Sequence, residues 1–217
     1  MQNFINKFSA KSRHHSKLIN FIYPELRNIK DCNILEFGVS EKAMSTELFL
    51  EYSSHFNCKL FSIDSVDFSK KFNQSNWNFL HTRDDNFSYI FNNVPNTFKL
   101  ILLDTIHEAK HVKNILYKYY DLLEINHCFS IDDISWLPYV KSSEKNRFYA
   151  EINNIETFRI ILEIYYANRE NFDLEFNFQG TGMCKIKKKN NNKLNDPSMI
   201  KTRTLSIKNL VRRIMKR

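Results

Sequence analysis

Glycine is almost missing from this chain: three residues in 217. That scarcity bears first on phosphate binding. A pyrophosphate-cradling dinucleotide loop needs glycine at three fixed places after the first strand. Here Gly38 fills one, and Ser40 and Lys42 stand where the others would be. A dinucleotide loop of that kind is therefore disfavoured. Long apolar runs are missing too, and none approaches the ~20 residues needed to span a bilayer. Residues 1–15 are polar and mixed, without the apolar segment of a signal peptide, so the expected location is cytoplasmic. The four cysteines, Cys32, Cys58, Cys128 and Cys184, are scattered, with no pair at metal-ligand spacing. Buried reduced thiols are expected.

Positive charge is plentiful only at one end. The chain carries a formal +8. Residues after Cys184 hold twelve Lys/Arg and one acid, so the 184 residues before them sum to −3. A polyanion argument therefore applies to the tail alone. Hydrophobic residues at 42% and aromatics at 14% exclude a disordered chain. The length suits one α/β domain with a real core.

Periodicity lays out the elements. A helix is expected over 16–28, with Leu18, Phe21, Ile22 and Leu26 at helical spacing. Strands are expected at 33–38, 59–64, 77–82, 98–104 and 128–133, and helices at 43–56, 84–91 and 108–123. The short helix at 84–91 is expected to be capped by its acids. Residues 134–150 read as an irregular stretch with Trp136, Pro138 and Tyr139. A helix at 153–168 and a hairpin of 172–178 with 183–187, turned at Gly180 and Gly182, close the domain. The sum is β-α about five times, then a helix and a hairpin.

Four of the apolar stretches stop on an acid: Glu36, Asp64, Asp104 and the Asp132–Asp133 pair. Carboxylates at the ends of buried strands are costly unless they bind something. In open α/β sheets that place is the ligand crevice. Gly38 and the helix start after it would seat a nucleotide-like ligand. Asp64, about 26 residues on, suits ribose hydroxyls, and Asp84 or Asp85 could reach an adenine amino group. A turn or N-cap is the alternative for Asp64, and helix capping is the stronger explanation for at least one of Asp84 and Asp85.

With those motifs in order, the chain resembles a class I S-adenosylmethionine-dependent methyltransferase. It is most similar to the small O-methyltransferase group whose central strand ends in Asp-Gly-x-His and whose next strand ends in an acidic pair. Here these read Asp104-Thr105-Ile106-His107 and Asp132-Asp133, and Glu36 to Thr46 resembles the first-strand motif. Thr105 departs from the usual glycine. The resemblance covers residues 16–188. It implies a Rossmann-like three-layer α/β sandwich with a mostly parallel seven-stranded sheet and an antiparallel C-terminal hairpin strand. It also implies S-adenosyl-L-methionine as cofactor, with Glu36, Gly38, Ser45, Thr46, Asp64 and Asp84 on its side of the crevice.

On the acceptor side the resemblance implies His107 as general base beside Asp104. An imidazole titrates near ~6.5, which suits that work. Asp104, Asp132 and Asp133 would converge, and close carboxylates repel unless a cation or protons intervene. In similar enzymes these positions hold a divalent ion, and oxygen ligands fit Mg²⁺, Mn²⁺ or Ca²⁺. Trp136, Pro138 and Tyr139 would wall a pocket for a small hydroxylated acceptor such as a sugar or glycan. A dimer contact is the alternative use of that stretch. A second reading is a non-catalytic binding module with a degenerate cofactor loop. No Asn-Pro-Pro-aromatic base-methylating motif is present, so no specific nucleic acid is expected. His14 and His15 read as solvated neighbours.

Residues 1–188 form the expected domain and 189–217 a basic flexible tail. Leu205, Leu210, Val211, Ile214 and Met215 could line one face of a short helix among Lys and Arg. Such a helix suits weak peripheral attachment to an anionic inner membrane face; docking on another subunit, nonspecific nucleic-acid binding and a frayed solvated tail are the alternatives.

Overall fold

A computed structural model describes residues 1–134 and 148–200, together with 207, 211 and 215. Seven strands form one sheet in the order β3-β2-β1-β4-β5-β7-β6. They are β1 (Asn33–Phe37), β2 (Lys59–Asp64), β3 (Trp77–His81), β4 (Phe98–Leu103), β5 (Leu123–Asp132), β6 (Phe172–Asn177) and β7 (Met183–Lys188). The first five run parallel, and β7 inserts antiparallel between β5 and β6. This is the expected Rossmann-like α/β sandwich with its antiparallel closing hairpin.

The helices are α1 (Gln2–Lys11), α2 (Arg13–Phe21), α3 (Tyr23–Leu26), α4 (Met44–Phe56), α5 (Phe87–Asn93), α6 (Ala109–Tyr119) and α7 (Phe148–Asn168). Alternation along each strand sends side chains to both faces of the sheet. In β4, Leu100 and Leu102 pack with α1, α2 and α4, whereas Ile101 and Leu103 pack with α5, α6 and α7. Two buried apolar layers result, which is why the strands read as near-continuous apolar runs.

The N-terminus differs from expectation. Residues 2–11 are a helix, and its Ile5 and Phe8 are buried in the first layer. The helix expected over 16–28 is two, broken at Ile22 ahead of Pro24. Proline lacks the N–H that a continuing helix needs and fits only in a helix's first turn. The acids expected to cap the fifth helix lie before it; its N-cap is Asn86, and its first turn holds no acid. Residues 189–200 have no regular element but lie along α6 and α7. The Tyr117 hydroxyl donates to the Asn195 carbonyl, Asn195 N–H donates to Asn168 Oδ1, and Leu194 packs on the core. The four thiols are free, as expected, with the sulfurs of Cys32 and Cys58 3.1 Å apart.

Candidate functional site

The strand order reverses between β1 and β4, and their carboxyl ends open the crevice where α/β sheets bind ligands. Gly38 leaves β1 with φ +94°, and its N–H donates to the Ile63 carbonyl at 2.9 Å. A Cβ there would stand 2.0 Å from the Asp104 carbonyl oxygen. Glycine is thus required for two reasons, its left-handed backbone and the close approach of the neighbouring strand. Ser40 keeps a glycine-like turn without being glycine: its φ is +58°. Serine can hold this conformation at a cost of about 1 kcal/mol.

Asp64 organises this loop. Its Oδ2 accepts the N–H groups of Val39 at 2.8 Å and Ser40 at 3.3 Å, and its Oδ1 accepts that of Val66 at 2.9 Å. Glu36 is fully buried and accepts three hydroxyls, Ser45 at 2.5 Å, Ser62 at 2.6 Å and Thr46 at 2.9 Å. Burial pushes the Glu36 carboxyl up to about 7, against the pull of those hydroxyls. Glu36, Ser45 and Thr46, expected to face the cofactor, therefore bind one another. Together they pin the start of α4 to β1 and β2. Asp84 is also taken. Thr105 Oγ1 and His111 Nε2, the latter at 2.7 Å, meet its Oδ2, and it is 5% exposed. Thr105 thus ties the end of β4 to the loop after β3, a use for the hydroxyl that a glycine there would lack.

A cleft of about 250 Å³ lies over this loop, lined by Gly38, Ser40, Asp64, Ser65, Asp84, Asp104 and Ile106 among others. A cavity of about 30 Å³, sharing Ser40 and Asp104 with it, continues toward His14, Lys17, Met44 and Asp132. His14 thus lines the crevice rather than standing clear of it.

On the acceptor side His107 Nε2 lies 3.7 Å from Asp104 Oδ1 and 3.4 Å from Asp133 Oδ2. The His107 carbonyl accepts the Thr157 hydroxyl of α7 at 3.3 Å. Desolvation at the strand end, then the charges of Asp132 and Asp133, push the Asp104 carboxyl above the usual carboxylate range, an effect that water tempers because the side chain is 40% exposed. Asp133 takes φ +54°, and its N–H donates to Asp132 Oδ1 at 2.9 Å and to the Gly182 carbonyl at 3.1 Å.

The sequence reading missed Lys17. Its ammonium, on α2, donates to Asp132 Oδ1 and, at 3.1 Å, to Thr181 Oγ1. Its sequence signal was helical spacing: Lys17 lies four residues before the core residue Phe21, on the buried face. Asp104, Asp132 and Asp133 are neighbours at the strand ends but are not a vacant three-carboxylate ligand set: Asp132 Oδ1 already holds an ammonium, and the three do not bring their ligand atoms within 4.8 Å of one another. They do not fit a divalent ion as they stand. Among the described residues, the group whose ligand atoms all lie within 4.8 Å of one another is Asp84, Asp85 and His111. There Arg83 grips Asp85 at 2.8 and 2.9 Å. Trp136, Pro138 and Tyr139 lie outside the described residues.

No protein-family model and no curated protein matches the sequence. Solved structures do match in shape. The MycE methyltransferase of the mycinamycin biosynthetic pathway, in complex with Mg and SAH, is 14% identical, with a TM-score of 0.65 over 89% of this chain and 56% of MycE. This chain shares the fold of methyltransferases. It spans little more than half of MycE's length. SAH-bound PaMTH1 of Podospora anserina is 14% identical, with a TM-score of 0.59 over 87% of each chain. A caffeoyl-CoA O-methyltransferase-like protein of Staphylococcus aureus is 15% identical, with a TM-score of 0.57 over 78% of this chain and 82% of that one.

Proposed function

We propose that the protein is an S-adenosylmethionine-dependent O-methyltransferase acting on a small hydroxylated acceptor such as a sugar or glycan. One observation carries the reading: the Gly38–Ser40 loop and Asp104 line one cleft at the strand-order reversal, and the His107 ring stands 3.7 Å from Asp104 Oδ1. When bound, the cofactor supplies a methyl already activated by its sulfonium. What remains for the chain is orientation and removal of one proton.

Asp64 holds the loop open by accepting Val39 and Ser40 N–H, which leaves the start of α4 facing the cleft. His107 Nε2 is the proton acceptor for the acceptor hydroxyl as its oxygen attacks. Asp104 and Asp133 flank the ring at 3.7 and 3.4 Å and hold it in place. No step is routed through a divalent ion. The non-catalytic alternative drew on Ser40 and Lys42, but the positive φ of Ser40 preserves the turn, which favours a working loop.

The test is radiolabelled methyl transfer to a panel of sugars, glycans and phenols, comparing the wild type with His107→Ala. Transfer to at least one hydroxyl acceptor, lost in the variant, is expected. Binding of S-adenosylhomocysteine with no transfer to any acceptor supports the binding-module reading instead.

A further inference from the structure

The acidic half of the crevice already contains a cation. Lys17 is 1% exposed. Its three ammonium donors have three acceptors: Asp132 Oδ1, Thr181 Oγ1 at 3.1 Å and the Gly182 carbonyl at 3.5 Å. These come from the end of β5 and the β6–β7 turn, so α2, the central sheet and the closing hairpin meet at one charge. A buried ammonium costs several kcal/mol unless paired, and clustered carboxylates carry a like penalty; here each offsets the other.

We propose that Lys17 is the resident cation of the acceptor half: its ammonium takes the place that a divalent ion would have in the charge balance and occupies the Asp132 oxygen that faces it, so the site works without a divalent ion. The proposal rests on reading this crevice as the methyl-acceptor side. Two features of the contact support it. Asp132 Oδ1 is used twice, by Lys17 and by the Asp133 N–H, so a metal ion would have to break both contacts to use that oxygen. Lys17 also lines the small cavity that reaches Asp104, so its charge acts on the crevice floor as well as on Asp132. Lys17 is thus a positioning residue: it holds Asp132, and through it the backbone of Asp133, opposite His107.

Mn²⁺ is the probe, followed by its paramagnetic resonance signal during titration of the full chain. Wild type is expected to bind Mn²⁺ no more tightly than an Asp132→Asn variant. Lys17→Met keeps the apolar stem and removes the charge that holds Asp132; it is expected to bind Mn²⁺ roughly tenfold or more tightly than wild type. The double variant Lys17→Met/Asp132→Asn should lose that gain. A folded Lys17→Met with unchanged Mn²⁺ affinity overturns the proposal. So does tight Mn²⁺ binding by wild type that Asp132→Asn abolishes, a result that stands even where Lys17→Met fails to fold. Calorimetry with S-adenosylhomocysteine on the same samples reports separately on the methyltransferase reading.

Discussion

Gly38 and the Asp104 carbonyl are in such close contact that a single added methyl group would stand 2.0 Å from that oxygen. The end of β1 and the end of β4 are locked together there, at the floor of the crevice. Gly38→Ala adds both that clash and a strained φ of +94°. It should cost roughly 2–4 kcal/mol of stability and weaken S-adenosylhomocysteine binding. Thermal melts with and without the ligand measure both; an unchanged melting temperature would contradict the close approach.

The His107 ring has two carboxylates within 4 Å, while its backbone carbonyl accepts the Thr157 hydroxyl. His107→Ala should lower kcat by roughly 10²–10⁴-fold with little change in cofactor affinity. Single-turnover assays and ligand titration separate the two quantities. Equal loss of both would make His107 a structural residue.

Glu36 predicts a pH effect on stability. Its carboxyl is raised to about 7 in the folded protein, against about 4.3 for a free glutamate. The folded state therefore binds the proton more tightly than the unfolded one. The stabilisation tied to that proton is full at acid pH and is lost as pH rises through the window from about 4.3 to 7. Glu36→Gln stays neutral throughout. Its melting temperature relative to wild type should therefore improve between pH 5 and pH 8, in chemical or thermal denaturation. A constant difference across that range would mean that Glu36 is ionised at both ends.

The basic terminus gives a separable test. Ile207, Val211 and Met215 are helical, four residues apart, and exposed. Spacing of four puts them on one helix face. Truncation after Ile200 keeps Leu194 and Asn195 against the core and removes this face together with its Lys and Arg. It should abolish sedimentation with phosphatidylserine vesicles and leave S-adenosylhomocysteine binding intact. Unchanged sedimentation rejects membrane attachment through this segment. A cut after Asn192 would confuse the two effects, because Leu194 and Asn195 pack on α6 and α7. Among the described residues no helix is long and apolar enough to cross a membrane.

The strands were legible because each is buried on both faces and so reads as an apolar run ending at a charged edge. Gly38 was legible as a turn, but what its missing side chain makes room for is the backbone of Asp104, a contact 66 residues away that no local pattern encodes. Helix α1 escaped notice because only Ile5 and Phe8 of its ten residues are buried; the rest are free to be polar. The acids at 36, 64 and 84 were found, but their partners were not. Glu36 and Asp84 turn to hydroxyls and a histidine that fold next to them, and Asp64 to backbone N–H groups. Lys17 was passed over because a lysine in an amphipathic helix is usually solvated. Its acceptor lies 115 residues away, beyond the reach of helical periodicity.

The central claim is that this crevice binds the methyl donor, and isothermal titration of the full chain with S-adenosylhomocysteine tests it most directly. The account predicts saturable one-to-one binding that Asp64→Ala greatly weakens by freeing Val39 and Ser40 N–H. No heat of binding at any ligand concentration up to the millimolar range, from a folded sample, would contradict it.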